Sequence, residues 1–197
     1  DVFNRDDKEG FDIVIGNPPY IGEKGHKEIF QPVKSDIHLG QYYLGKMDYF
    51  YFFFHLAFNM LSPHGVATFI TTNYYPTALG ARKLRADIKD RMNIKTLFNL
   101  GELRLFENAP GQHNMISSFA KGKDGCKCQV IDVHKKGALN PIMFASIINH
   151  IDEDTTYADV AQEDLYDGEE NYIRLQNSSG DNPLSSLLDK IQLGNNT

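Results

Sequence analysis

Cysteine is scarce in this 197-residue sequence, limited to Cys126 and Cys128. On a strand a C-x-C pair points to opposite faces, so the two thiols are not expected to bridge. No second Cys or His cluster has ligand spacing, which argues against a metal site and for reduced thiols in the cytoplasm. Long apolar runs are also missing. The most apolar segment, 49–61, is too short and too interrupted to span a bilayer, so no membrane association is expected. The opening "DVFNRDDKEG" is charged and carries no secretion signal. The seven histidines are scattered and form no triad or metal set, and no Ser or Cys sits on a nucleophile elbow. Repeats and low-complexity tracts are absent. The chain starts at Asp and stops just after an apparent helix, so a piece of a longer protein is expected.

What is present is unevenly charged. Residues 1–149 hold 18 Lys/Arg against 15 Asp/Glu, whereas residues 150–197 hold 2 against 11. The acidic end is unsuited to phosphate, so any nucleic-acid contact falls to the first part or to sequence beyond this chain.

Short β-branched apolar runs alternate with helical patterns. "DIVIGN" (12–17), "VATFIT" (66–71) and "IKTLFNL" (94–100) read as buried strands. Helices are expected over about 49–61, with Asp48 as its cap, and about 79–92. The polar stretch 21–46 reads as a long loop, and 101–114 as another. "MISSFAK" (115–121) and "KCQVIDVHK" (127–135) read as strands, paired as a hairpin around "GKDG". This order predicts an α/β fold, a parallel sheet with an antiparallel edge. Beyond Gly137 the pattern weakens: "PIMFASIINHI" suits a helix, "DEDTTYADVAQEDLYDGEEN" a loop-like acidic connector, and "NPLSSLLDKIQ" a short amphipathic helix.

The most informative stretch is "FDIVIGNPPYIG" (11–22), an apolar strand closed by Asn17, Pro18, Pro19 and Tyr20. Sheets of this kind hold ligands at the carboxyl ends of their strands. Asn17 offers a carboxamide, Pro18 a backbone carbonyl in a stiff turn, and Tyr20 an aromatic face. Two converging acceptors beside a stacking surface suit a planar ring with an exocyclic amine. The acceptors would hold both amine hydrogens and free the nitrogen lone pair for attack, by positioning and preorganised dipoles. A plain strand-ending turn with Tyr20 packed on the core is the alternative.

These residues resemble the N6-adenine DNA methyltransferases, in particular gamma-type enzymes and the methylase parts of type II and IIG restriction–modification proteins. "FDIVIGNPPY" resembles the catalytic motif, and "DYFYFFFHLAFNMLSPHGVATFITTNYY" the helix, turn and strand after it. "LRADIKDRMNIKTLFNLGELRLF" and "NMISSFAK" resemble the elements that follow. The likeness covers roughly 1–135. It implies the C-terminal half of a Rossmann-like class I methyltransferase sheet, with the N-terminal cofactor-binding strands missing. Residues 1–136 would be the catalytic half, and 137–197 an acidic connector toward an absent target-recognition domain. It implies transfer of a methyl group from S-adenosylmethionine to the N6 amine of a flipped adenine in double-stranded DNA, with a fused or separate nuclease and recognition domain as partners. Catalytic roles fall to Asn17, Pro18, Pro19 and Tyr20. Phe106 matches a second aromatic that packs the flipped base, and Asp1 stands near the spacing of an acid that contacts the cofactor. The glycine-rich cofactor loop is absent upstream of Asn17, so the fragment alone is expected to be inactive.

Lys24 and Lys27, with Lys34, follow the ledge and are candidate DNA contacts. Arg82, Arg85 and Lys89 share a helix face that suits phosphate or plain solvation. Gln112 and His113 lie near Phe106. A methyltransferase for protein glutamine or RNA, and a non-catalytic scaffold, remain alternatives, since any –NH2 could be held this way.

Overall fold

The computed structural model describes residues 10–106, 112–123 and 125–175. Asp1 and the expected helix at 182–192 lie outside them. The chain runs β1 (Phe11–Gly16), α1 (Lys27–Ser35), α2 (Phe50–Met60), β2 (Leu61–Thr72), α3 (Arg82–Arg91), β3 (Met92–Asn99), β4 (Glu102–Arg104), β5 (Asn114–Lys121) and β6 (Cys128–Val133). It continues with β7 (Lys136–Ala138), α4 (Pro141–Ile148), β8 (Thr155–Val160), β9 (Tyr166–Asp167) and β10 (Tyr172–Ile173).

Six strands form the central sheet in the order β1-β2-β5-β3-β6-β8. β1 and β2 are parallel, as are β3 and β6. β5 runs antiparallel between β2 and β3, and β8 runs antiparallel on the outer side of β6. The expected antiparallel edge therefore exists, but β8 supplies it. The expected hairpin of β5 with β6 does not form, because β3 lies between them. Two strand spacings are about 10 Å, which the six residues from Gly122 to Lys127 span easily. β3 is buried along most of its length, as a strand with neighbours on both sides must be.

α2 and α3 cover one face. Phe50, Phe54 and Phe58 recur at the helical period; Phe54 stacks on Phe69 of β2 with centroids 4.6 Å apart, Phe54 and Phe58 meet Phe119 of β5, and Phe50 packs against Phe54. α2 is buried on nearly every side, because α1 covers its outer surface through Phe30 and Val33. The stretch 21–46 thus contains a helix where a loop is expected. Only Ile29, Phe30 and Val33 mark its apolar face, and Pro32 lies inside it. The excursion closes on itself through Glu23 N–H to the Met47 carbonyl (2.8 Å) and Tyr49 N–H to the Ile21 carbonyl (2.8 Å).

Asp48 does not cap α2. Tyr49 takes that position without a side-chain bond, and the Asp48 carboxylate instead accepts from the Tyr51 hydroxyl at 3.1 Å. Between Phe11 and Ile13 of β1, β2 advances from Leu61 to Val66, so "SPHG" bulges from the strand.

α4 lies on the opposite face, closing a second cluster of Phe98, Leu100, Leu103, Ile131, Val133 and Ile147. The β1 end of that face stays open among the described residues, with Ile13 and Ile15 exposed. The stretch expected as a loop-like connector contributes β8, β9 and part of the core through Leu165. Its many acidic side chains hide an alternation that a strand needs only on one face. Arg85 of α3 docks the β9–β10 hairpin: its guanidinium donates to the carbonyls of Tyr75, Ala78 and Glu170 and lies over the Tyr172 ring.

Candidate active site

β1 delivers Asn17 to the end of the sheet where β2, β3 and β6 also finish and β5 begins. Gly16 makes that delivery possible. A Cβ there would stand 2.7 Å from the Phe69 ring, closer than atoms pack. The ledge then turns outward: Asn17 and Pro19 are exposed, Pro18 is buried and Tyr20 is half-buried. Ile21 N–H bonds the Pro19 carbonyl at 3.2 Å. The Pro18 carbonyl accepts no hydrogen bond among the described residues.

Tyr20 packs its edge on Phe50, with centroids 6.1 Å apart and planes at 75°. Its hydroxyl stands 2.8 Å from Asn17 Oδ1 and 3.0 Å from the Ile70 carbonyl. One proton serves only one of these acceptors at a time. Burial pushes the hydroxyl up to about 12, against an opposing hydrogen bond from the Asn114 side chain. Asn114, itself buried, also reaches the Thr71 carbonyl at 3.4 Å. The ledge is thereby tied to β2 and β5. Asn17 Oδ1 has a second lone pair, and its Nδ2 has no partner among the described residues, so the carboxamide can still meet a ligand.

Sequence reasoning missed this tie. It also missed a second polar row beside it. Asn73 Nδ2 donates to Asn99 Oδ1 at 2.9 Å, and Asn99 Nδ2 donates to Asp132 Oδ1 at 2.7 Å. The available signal was positional: Asn17, Asn73, Asn99 and Asn114 each stand at a strand end.

The other expected residues spread around this end. Phe106 is half-buried, belongs to neither core cluster, and makes no described contact with the ledge. Lys24 and Lys27 are exposed on the excursion after Tyr20. Lys27 helps hold the Glu23 carboxyl below its usual range: burial opposes ionisation most, but the Tyr43 hydroxyl and the Lys46 and Met47 amides outweigh it. The basic face of α3 is occupied in part. Arg85 is buried, and Lys89 reaches Asn171 at 2.7 Å. Gln112 is half-buried, and His113 joins the second polar row through Gly101.

The described residues supply no complete cradle for a cofactor. No glycine-rich loop follows a strand among them, and no acidic side chain stands free at the end of β1. They fit the amine side of a group transfer. Among the described residues no group of His, Cys, Asp and Glu could hold a metal ion. Neither cysteine forms a disulfide among the described residues, and burial pushes the Cys128 thiol up to about 12. Among the described residues no helix is long and apolar enough to cross a membrane.

Comparison with known proteins agrees with this geometry. The family model of the Eco57I restriction-modification methylase matches residues 1–106. The type II methyltransferases M.HincII and M.HindII of Haemophilus influenzae are each 25% identical over 134 residues, 68% of this chain and 26% of theirs. The chain thus spans about a quarter of the length of these curated relatives. The type I restriction enzyme EcoKI M protein superposes with a TM-score of 0.58 at 12% identity, over 93% of this chain and 48% of its own. The type IIG restriction endonuclease BpuSI superposes at 0.52 with 17% identity, over 77% of this chain and 19% of its own. These likenesses carry the fold, a Rossmann-like class I methyltransferase sheet. The match over more than half of its residues and the Asn-Pro-Pro-Tyr ledge at the strand ends make this chain a member of the Eco57I restriction-modification methylase family.

Proposed function

We propose that the chain is the amine-holding part of an enzyme that methylates the N6 amine of adenine in double-stranded DNA, within a restriction–modification system. The observation that carries this is the ledge: consecutive residues of one turn at the end of β1 carry the exposed Asn17 carboxamide and a Pro18 carbonyl that accepts no hydrogen bond among the described residues. Two such acceptors bind the two hydrogens of an exocyclic amine and favour a tetrahedral nitrogen, whose lone pair then points at a methyl donor. S-adenosylmethionine would supply the methyl group, held mainly by residues outside this chain. Pro18 and Pro19 fix the turn, so the gain is positional and requires no strong base. An adenine must leave its stack to reach such a ledge.

Tyr20 offers its ring to the flipped base once a ligand amine takes over Asn17 Oδ1 from the hydroxyl. Phe106 is the second aromatic in this reading, and Lys24 and Lys27 contact the DNA backbone. Residues 1–136 form the catalytic part, and 137–197 lead toward a target-recognition domain, with a nuclease fused or separate. The chain alone is expected to transfer no methyl group.

The test is Asn17→Ala in the longer protein that carries this chain. The loss expected is about 10²–10³-fold in kcat, the scale for removing one preorganised polar group, with DNA binding retained. Undiminished methyl transfer would remove Asn17 from the chemistry.

A further inference from the structure

Beside the ledge, the strand ends build a second platform that the amine-holding role leaves unused. Tyr74 is 50% exposed, whereas Tyr75 next to it is fully buried. Exposed large aromatics in a held position are candidate stacking surfaces. Tyr74 is held. Its carbonyl accepts from Thr77 and Ala78 in a tight turn, and its ring meets His113 edge-on at 6.5 Å. His113 is fixed in turn. Its Nδ1 lies 3.0 Å from the Gly101 carbonyl, and its own carbonyl accepts from Asn73 N–H at 2.9 Å. A carbonyl only accepts, so Nδ1 carries a proton and the neutral ring presents Nε2 as an acceptor.

Asn73 completes the platform. The acid at the end of the row sets the direction of the whole relay. The Asp132 carboxylate only accepts, so Asn99 must turn its NH2 toward it and its oxygen toward Asn73. Asn73 must therefore spend an N–H on Asn99, which leaves its Oδ1 as the unspent acceptor. The relay fixes the polarity of a half-buried amide next to the exposed Tyr74 and the half-buried His113. Thr72 pairs with Asn114, whose side chain contacts Tyr20, so platform and ledge share one support.

We propose that Tyr74 and His113, with Asn73 Oδ1, form a stacking subsite for a second unstacked nucleobase of the bound DNA. This inference rests on the DNA-methyltransferase reading above. A planar base stacks on the tyrosine face, and its exocyclic amine or ring N–H donates to Asn73 Oδ1 or His113 Nε2. Two bases have this chemistry: the neighbour of the target on its own strand, and the partner left behind by flipping.

The chain contains no tryptophan, so Tyr74→Trp installs a single reporter at the platform. The full chain is titrated with a short duplex carrying a mismatched adenine and with matched duplexes. One of these has an abasic site beside the adenine, the other opposite it. Anisotropy of a dye on the DNA reports binding independently. The subsite requires indole quenching with the complete duplex and its loss with one of the two abasic duplexes, which identifies the base. In parallel, Tyr74→Ala should weaken binding about tenfold, the scale of one base stack, with no change in the salt slope. Binding by anisotropy with no quenching, or equal quenching by all duplexes, overturns the subsite and leaves the methyltransferase reading standing. An absence of binding to any duplex, in this chain and in the longer protein, overturns both.

Discussion

Gly16 and Phe69 share one contact that decides where Asn17 stands. A methyl group on Gly16 would fall 2.7 Å from the Phe69 ring, so Gly16→Ala must displace either the aromatic stack or the ledge. Overpacking of this kind costs about 1–3 kcal/mol, measurable by urea unfolding. Shrinking the ring should restore part of it, so Gly16→Ala with Phe69→Leu should be more stable than the two single losses added together. At Asn114, truncation to Ala removes the amide that reaches both Tyr20 and Thr71. The expected cost is about 1–3 kcal/mol, the scale for leaving buried polar partners unpaired. Much of this was legible in the sequence, because Gly-Asn-Pro-Pro-Tyr after a β-branched run states its own geometry. The Tyr20 hydroxyl tie was not, since it depends on Asn114, about a hundred residues away and brought beside it only by strand order.

α2 and α3 are joined by a buried clamp with a definite pH response. His55, fully buried, donates from Nδ1 to Asp87 at 2.6 Å and stacks on Tyr42 at 3.7 Å. Arg91 grips the same carboxylate through two nitrogens at 2.5 and 2.7 Å. Burial holds the His55 pKa below its ordinary value despite Asp87. A lowered folded value means that the folded state resists protonation. Stability is then complete above the unfolded value of about 6.5 and declines as pH falls from there toward the folded value. Asp87 is held below its usual range, the bonds from His55 and Arg91 outweighing burial. Its contribution is present above about 3.9 and is lost as pH falls through the folded value. Thermal melts should therefore show Tm falling as pH drops below about 6.5, with a further fall below about 4. His55→Gln should remove the first step and keep the second. The two helices themselves were readable from their periodicity. The position of β5 was not, because a short connection ordinarily joins neighbours, and only the pairing of β3 on both sides excludes that here.

At the scale of the whole molecule, charge and fold divide differently. The acidic residues after 149 cluster in sequence, yet β8 completes the sheet and Arg85 anchors the hairpin that follows. Removing Arg85 frees three carbonyls and leaves Tyr172 unstacked. Arg85→Met should therefore expose the 166–173 segment to protease while the β1–β2 core stays protected, a difference that limited proteolysis resolves. Composition alone indicated a connector here, since strand alternation on one face is faint among so many carboxylates. The central proposal for the molecule is chemical: an exocyclic adenine amine held between Asn17 and the Pro18 carbonyl. Its most direct test is the identity of the methylated nucleoside. DNA treated with the longer protein and labelled S-adenosylmethionine is digested and resolved by mass spectrometry. N6-methyladenine that disappears with Asn17→Ala is the result expected; label on cytosine, or N6-methyladenine undiminished in the variant, would contradict it.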